Sequence, residues 1–149
     1  MKNLFQQETI TLIKNRIDQL EHSAQPLWGK MNVAQMLAHC KYALDMASGE
    51  INPPRIFLGR IIGPLVKSVY YNEKEFSKNS PTDPMVKVVN QRDFDTEKEK
   101  LVSAITEFNV AGEEQCTSHP HPFFGGFTPA QWSIGMYKHL DHHLRQFDV

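Results

Sequence analysis

The stretch TPAQWSIGMYKHLDHHLRQF, residues 128–147, decides how the rest of the chain is read. It opens as a helix does: Thr128 can cap, Pro129 suits the first helical position, and Gln131 stands where a capping box needs its amide. At about 100° per residue, Trp132, Met136, Leu140, Leu144 and Phe147 gather on one side, with Lys138, Asp141, Arg145 and Gln146 assigned to the other. His139 and His143 are four apart, so they project one turn apart on the edge nearest Trp132 and Met136. His142 points among Lys138 and Arg145, toward water. Two imidazoles on one inner edge are the usual way a helix offers a metal two ligands. Histidines near a helix C-terminus also serve the dipole and the last carbonyls, a reading that suits His142 better than His139.

A metal held by two imidazoles needs a third ligand, and a second helix offers one. Asn32 is a good N-cap with Gln35 at the third helical position, and Val33, Met36, Leu37, Cys40, Ala43, Leu44 and Ala47 define the inner face to about Ser48. His39 lies on the flank of that face, close in angle to Gln35, Tyr42, Ala43 and Met46, while Lys41 and Asp45 point away. Cys40 is about 100° round from His39, too far for the two to share one ion. A lone inward histidine is ordinarily a hydrogen-bonded core residue. Beside His139 and His143 it becomes a candidate ligand, and three neutral nitrogens with an open position compose a catalytic rather than a structural site. Gln35, Tyr42, Met46, Trp132 and Met136 are the candidate pocket lining.

Elsewhere the chain reads as helices joined by loops. Residues 8–20 carry Ile10, Ile13, Ile17 and Leu20 as a bundle seam, with His22 a solvated residue after it. IFLGRIIGPLVKSVYY, residues 56–71, predicts a helix with a kink or stop near Pro64 and a further turn beyond. Its all-round apolarity points to burial, with a subunit contact as the other reading. Residues 72–94, with prolines at 81 and 84, read as a long crossing loop of the kind that borders sites. Thr96 with Glu99 is expected to cap a fourth helix burying Leu101, Ala104, Ile105 and Phe108. His119, His121, Phe123, Phe124 and Phe127 lie just before the last helix, and Gly125-Gly126 allows a tight turn. This loop, with His121, Phe123 and Phe124 foremost, either covers the mouth of the metal site or caps the end of the bundle.

Composition narrows the classes. At 149 residues the length suits a single domain over residues 1–149 that buries a core without staples. Sixteen basic and 17 acidic side chains give a net charge of −1, so no basic stripe supports nucleic-acid binding. Two cysteines make no disulfide framework, MKNLFQQETI lacks the apolar core of a signal peptide, and no run approaches the ~20 apolar residues of a membrane span. A soluble cytoplasmic domain is the expectation. Phosphate-binding glycine loops and the nucleophile elbow do not occur, nor does H-E-x-x-H, since Leu140 follows His139. A di-iron site would need Glu-x-x-His on the bundle helices, and those helices lack it. A Cys116–His119 nucleophile has nothing to orient it.

The two blocks WGKMN…QMLAHC and HPFFGGFTP…YKHLDHHLRQF, lying within residues 28–40 and 119–147, resemble one subfamily of the DinB/YfiT-like superfamily of metalloenzymes. Their order and spacing cover nearly the whole chain. The resemblance implies an all-α four-helix bundle with an additional short helix and long crossover loops. It implies a divalent metal, zinc or nickel, on His39, His139 and His143, and a homodimer, with residues 56–66 a candidate contact. By the same resemblance the expected activity is transfer of a low-molecular-weight thiol to a small-molecule substrate, the metal ionising the thiol. A metal-dependent hydrolase using water is the alternative, and a non-catalytic small-molecule-binding or stress-related bundle protein the one from another class.

Overall fold

The computed structural model describes residues 1–80 and 87–149. Among these residues, five α-helices run in the order α1 (Gln7–Asp18), α2 (Val33–Ser48), α3 (Phe57–Val66), α4 (Phe94–Ala111) and α5 (Pro129–Gln146). Short 3₁₀ turns follow α3 at Lys67–Tyr70 and α4 at Glu113–Gln115. The described residues form no strand, only an isolated antiparallel bridge between His121 and Gly125. None of the described helices is long and apolar enough to cross a membrane.

Local chemistry sets where most helices begin. Asn32 accepts the Gln35 N–H at 2.9 Å and its own N–H donates to Gln35 Oε1 at 3.1 Å. Thr128 and Gln131 repeat the reciprocal pattern at the head of α5, where Pro129 needs no N–H partner. The start of α4 departs from expectation: Asp93, not Thr96, is the cap, its carboxylate accepting the Thr96 N–H at 2.9 Å. Starting one turn earlier brings Phe94 and Glu97 inside, where Arg92 and Lys100 approach the Glu97 carboxylate.

α1, α2, α4 and α5 share one core. α2 packs on both α4 and α5, and α1 on the same two helices. Ile10, Ile13, Ile17 and Leu20 are buried as their spacing predicts, and so are Trp132, Met136, Leu140, Leu144 and Phe147. α2 is covered beyond its predicted face: Ala34, Ala38 and Met46 are buried too, because a helix gripped by two neighbours has little outside. Gln146 corrects the reading of α5. Assigned to the polar side, it is 3% exposed. It lies seven residues after His139, nearly two full turns, and so only ~20° away in angle. Its polarity, not its phase, suggested the outside.

α3 is the second correction. Burial was expected, yet Phe57 is 77% and Leu65 81% exposed, and Leu58, Ile61, Ile62 and Val69 are open as well. The buried residues of α3 are Gly59 and Gly63. A Cβ at Gly59 would stand 2.6 Å from Phe123 Cα, and one at Gly63 would collide with the Phe123 carbonyl oxygen. The glycine face lets backbone lie on backbone, which turns the large side chains outward. Ile56 N–H and the Arg55 guanidinium both donate to Pro122 O, tying the head of α3 to the same loop. Pro64 falls inside α3, which runs on to Val66 before tightening into the 3₁₀ turn. Of the expected crossing loop, residues 72–80 and 87–93 are non-helical; its prolines at 81 and 84 lie outside the described residues.

Candidate metal centre

Capped at Asn32, α2 carries His39 to a buried position, 5% exposed, facing the middle of α5. Capped at Thr128, α5 brings His139 and His143 to the same place. His39 Nε2 lies 3.0 Å from His139 Nε2. The rings do not stack flat: His143 stands at 77° to His39 and 78° to His139, with centroids 4.9 and 4.7 Å away. One ring nitrogen from each of the three can be chosen so that all lie within 4.8 Å of one another, an arrangement that could hold a metal ion. Nitrogens around a tetrahedral zinc stand about 3.3 Å apart, so small side-chain movements bring the three to ligand distance.

Electrostatics suits the donors to that task. A metal ligand must be neutral imidazole. Burial pushes His143 down to about 3, the neighbouring His39 adding to the effect. Burial likewise holds His139 well below the usual histidine value, with His143 and His39 next in importance. His139 keeps an accessible edge although atoms crowd round its ring, and its Nδ1 is buried without a hydrogen-bond partner among the described residues. His143 is better tied: its Nδ1 lies 2.8 Å from Gln146 Oε1, and Gln146 Nε2 donates to the Trp28 carbonyl at 2.5 Å.

The remaining candidates fall elsewhere. His142 stays outside the trio but not in open water: half-buried, it packs against Trp28 and Phe76. His119 sits against Pro53 O at 3.4 Å. His121 is enclosed by Tyr70, Phe124, Phe127 and Trp132, and its Nδ1 accepts the N–H groups of Phe123 and Phe124 at 3.1 and 3.3 Å. Burial, then the charge of Arg55, pushes it down to about 4. The loop containing His121, Phe123 and Phe124 thus packs around Tyr70 and the first turn of α5. Among the described residues, no ring contact joins it to the three imidazoles.

Trp132 and Met136 are core residues, 1% and 0% exposed, and Met46 is buried too. Gln35 spends its amide on Asn32 N–H and Asn90 O, and Tyr42 is half-buried against the core. Two clefts among the described residues are lined by others. One of about 410 Å³ opens beside Leu27, Trp28, Glu75, Lys78 and Arg145, and one of about 220 Å³ beside Lys2, Asn72 and Tyr137. Neither cysteine is poised to react. Burial raises the Cys40 thiol far above its ordinary value, and pushes Cys116, which donates to Ala47 O at 3.4 Å, up to about 11.

Sequence reasoning missed Tyr70 and Gln146. Tyr70 is 6% exposed and lies against Gly135, whose missing side chain makes room for the ring one turn before His139. Nothing local in KSVYY marks it. Gln146 had a signal, its phase with His139.

Fold and site together define an all-helical protein whose second and last helices bring three buried or part-buried imidazoles to one point. The chain belongs to the family described as Protein of unknown function (DUF1569), which it matches over residues 5–149. Comparison with curated proteins and with solved structures returns no match.

Proposed function

We propose that this protein is a metal-dependent enzyme of the DinB/YfiT-like superfamily, its helices α1, α2, α4 and α5 forming a four-helix bundle around a three-histidine divalent metal site. The observation that carries the reading is the convergence of His39, His139 and His143 nitrogens within 4.8 Å from two independently capped helices. An all-imidazole donor set suits zinc or nickel, and leaves the ion's charge uncancelled. A divalent ion held by these three side chains would supply the charge that favours the thiolate of a small thiol, the nucleophile that the transferase reading requires. The chain's own part is to keep His139 and His143 neutral by burial and to hold the orientation of all three imidazoles through α2 and α5.

Metal content of the untagged protein, purified from the cytoplasm of its expression host and measured by elemental analysis, tests the site. About one divalent ion per chain is expected. It should be lost in His39→Ala, His139→Ala and His143→Ala, and retained in His142→Ala, since His142 faces Trp28 and Phe76. A protein that carries no metal and takes up neither zinc nor nickel sinks the reading. Loss of metal in His142→Ala but not in His139→Ala sinks the assignment of ligands. With the metal established, turnover of a small electrophile that depends on added low-molecular-weight thiol separates the transferase from a hydrolase.

We further propose that the chain forms a homodimer through the outward face of α3, where Phe57, Ile61 and Leu65 present apolar surface.

A further inference from the structure

We propose that Gln146 is a positioning residue, its side-chain amide braced between the Trp28 carbonyl and His143 so that His143 carries its proton on Nδ1 and offers Nε2 as its ligand atom. The inference rests on the metal-site reading and adds to it the hydrogen-bond polarity on which that site depends.

A glutamine amide can be placed either way round, and only its surroundings decide which end is oxygen. Here a backbone carbonyl decides. Trp28 O can only accept, so the group 2.5 Å from it must be the Gln146 NH₂. The other end, 2.8 Å from His143 Nδ1, is therefore oxygen, which can only accept in turn. His143 Nδ1 must donate, and neutral imidazole with a proton on Nδ1 has its lone pair on Nε2. The direction of every bond in the chain from Trp28 O to His143 follows from one group that cannot reverse.

The surrounding structure is built to hold this amide. Gln146 is 3% exposed, and its main-chain carbonyl also accepts the Leu27 N–H at 2.8 Å. Gly29 takes φ +82°, and a Cβ there would stand 2.6 Å from Gln146 Nε2. The segment between α1 and α2 thus wraps the end of α5 with a left-handed turn whose lack of a side chain leaves the amide its space. Ligating histidines ordinarily donate their second N–H to an oxygen, which fixes the ring and makes the ligating nitrogen more basic. Gln146 supplies that oxygen without a charge.

The test uses the full-length chain with ¹⁵N-labelled histidine. In the metal-free wild type, NMR should show His143 as the Nδ1–H tautomer. Gln146→Met removes both hydrogen-bonding ends at similar length; its His143 should become a tautomer mixture, and zinc affinity by chelator competition should fall about 10–100-fold. Wild-type His143 protonated on Nε2 overturns the proposal without need of any variant. So does a folded Gln146→Met protein with unchanged tautomer and zinc affinity. A wild type that shows the Nδ1–H tautomer yet binds no zinc supports the positioning of His143 and overturns the metal reading alone.

Discussion

Burial, more than any charge, sets the protonation of His121, His139 and His143, and His121 shows the consequence most plainly. Two backbone N–H groups point at its Nδ1, so a proton there has no room, and desolvation adds to the cost. With a folded pKa of about 4 against an ordinary 6.5, the group is neutral in both states above pH 6.5 and contributes no pH dependence there. As pH falls from about 6.5 to 4 the unfolded chain takes up a proton that the folded chain refuses, and stability declines. Between pH 7 and pH 5 this one residue should account for about 2 kcal/mol of lost stability. Denaturant unfolding of metal-free wild type and His121→Asn at the two pH values checks it: the variant should lose about that much less. An equal loss in both would mean that His121 is charged in the folded protein.

α3 makes the case for the element. Its Gly59 and Gly63 are one turn apart on the face laid against Phe123 and Phe124, and the atom that a new Cβ meets at Gly63 is a backbone oxygen with no rotamer to escape by. Gly63→Ala should therefore cost about 1–3 kcal/mol despite the better helix propensity of alanine. Limited proteolysis should then cut first between residues 55 and 70, since the docking of α3 rests on that seam and on Arg55. A stabilised variant would show that α3 does not lie on the loop. α4 offers a finer comparison. Because Asp93 and not Thr96 caps it, Asp93→Ala should lower the melting temperature while Thr96→Ala, which leaves the Thr96 N–H in place, should lower it less. The reverse order would restore the capping box at Thr96 and Glu99.

For the whole molecule, the outward face of α3 carries the clearest consequence. A cluster of large apolar side chains from one helix is more than a monomer ordinarily leaves open, and self-pairing would cover it. Sedimentation velocity over a hundredfold range of concentration should show a dimer, and Ile61→Lys with Leu65→Lys should leave a monomer with an unchanged helical spectrum. A wild type that stays monomeric throughout removes the pairing. The interior was largely legible in the sequence. Helix periodicity and caps are local properties, and they sufficed for α1, α2 and α5, for the core from Ile10 to Phe147, and for the inward edges on which His39, His139 and His143 stand. What lay beyond the sequence were facts about neighbours. Periodicity says which way a side chain leaves its helix, not what waits there. Whether Gln146 goes inside depended on a carbonyl 118 residues away, and whether α3 buries leucines or glycines depended on the loop at Phe123. The tertiary structure decided those, even though the phase of Gln146 with His139 already pointed inward, because burial of a polar or small group is worthwhile only when a partner of matching shape or hydrogen-bonding sense is brought to it by the rest of the chain.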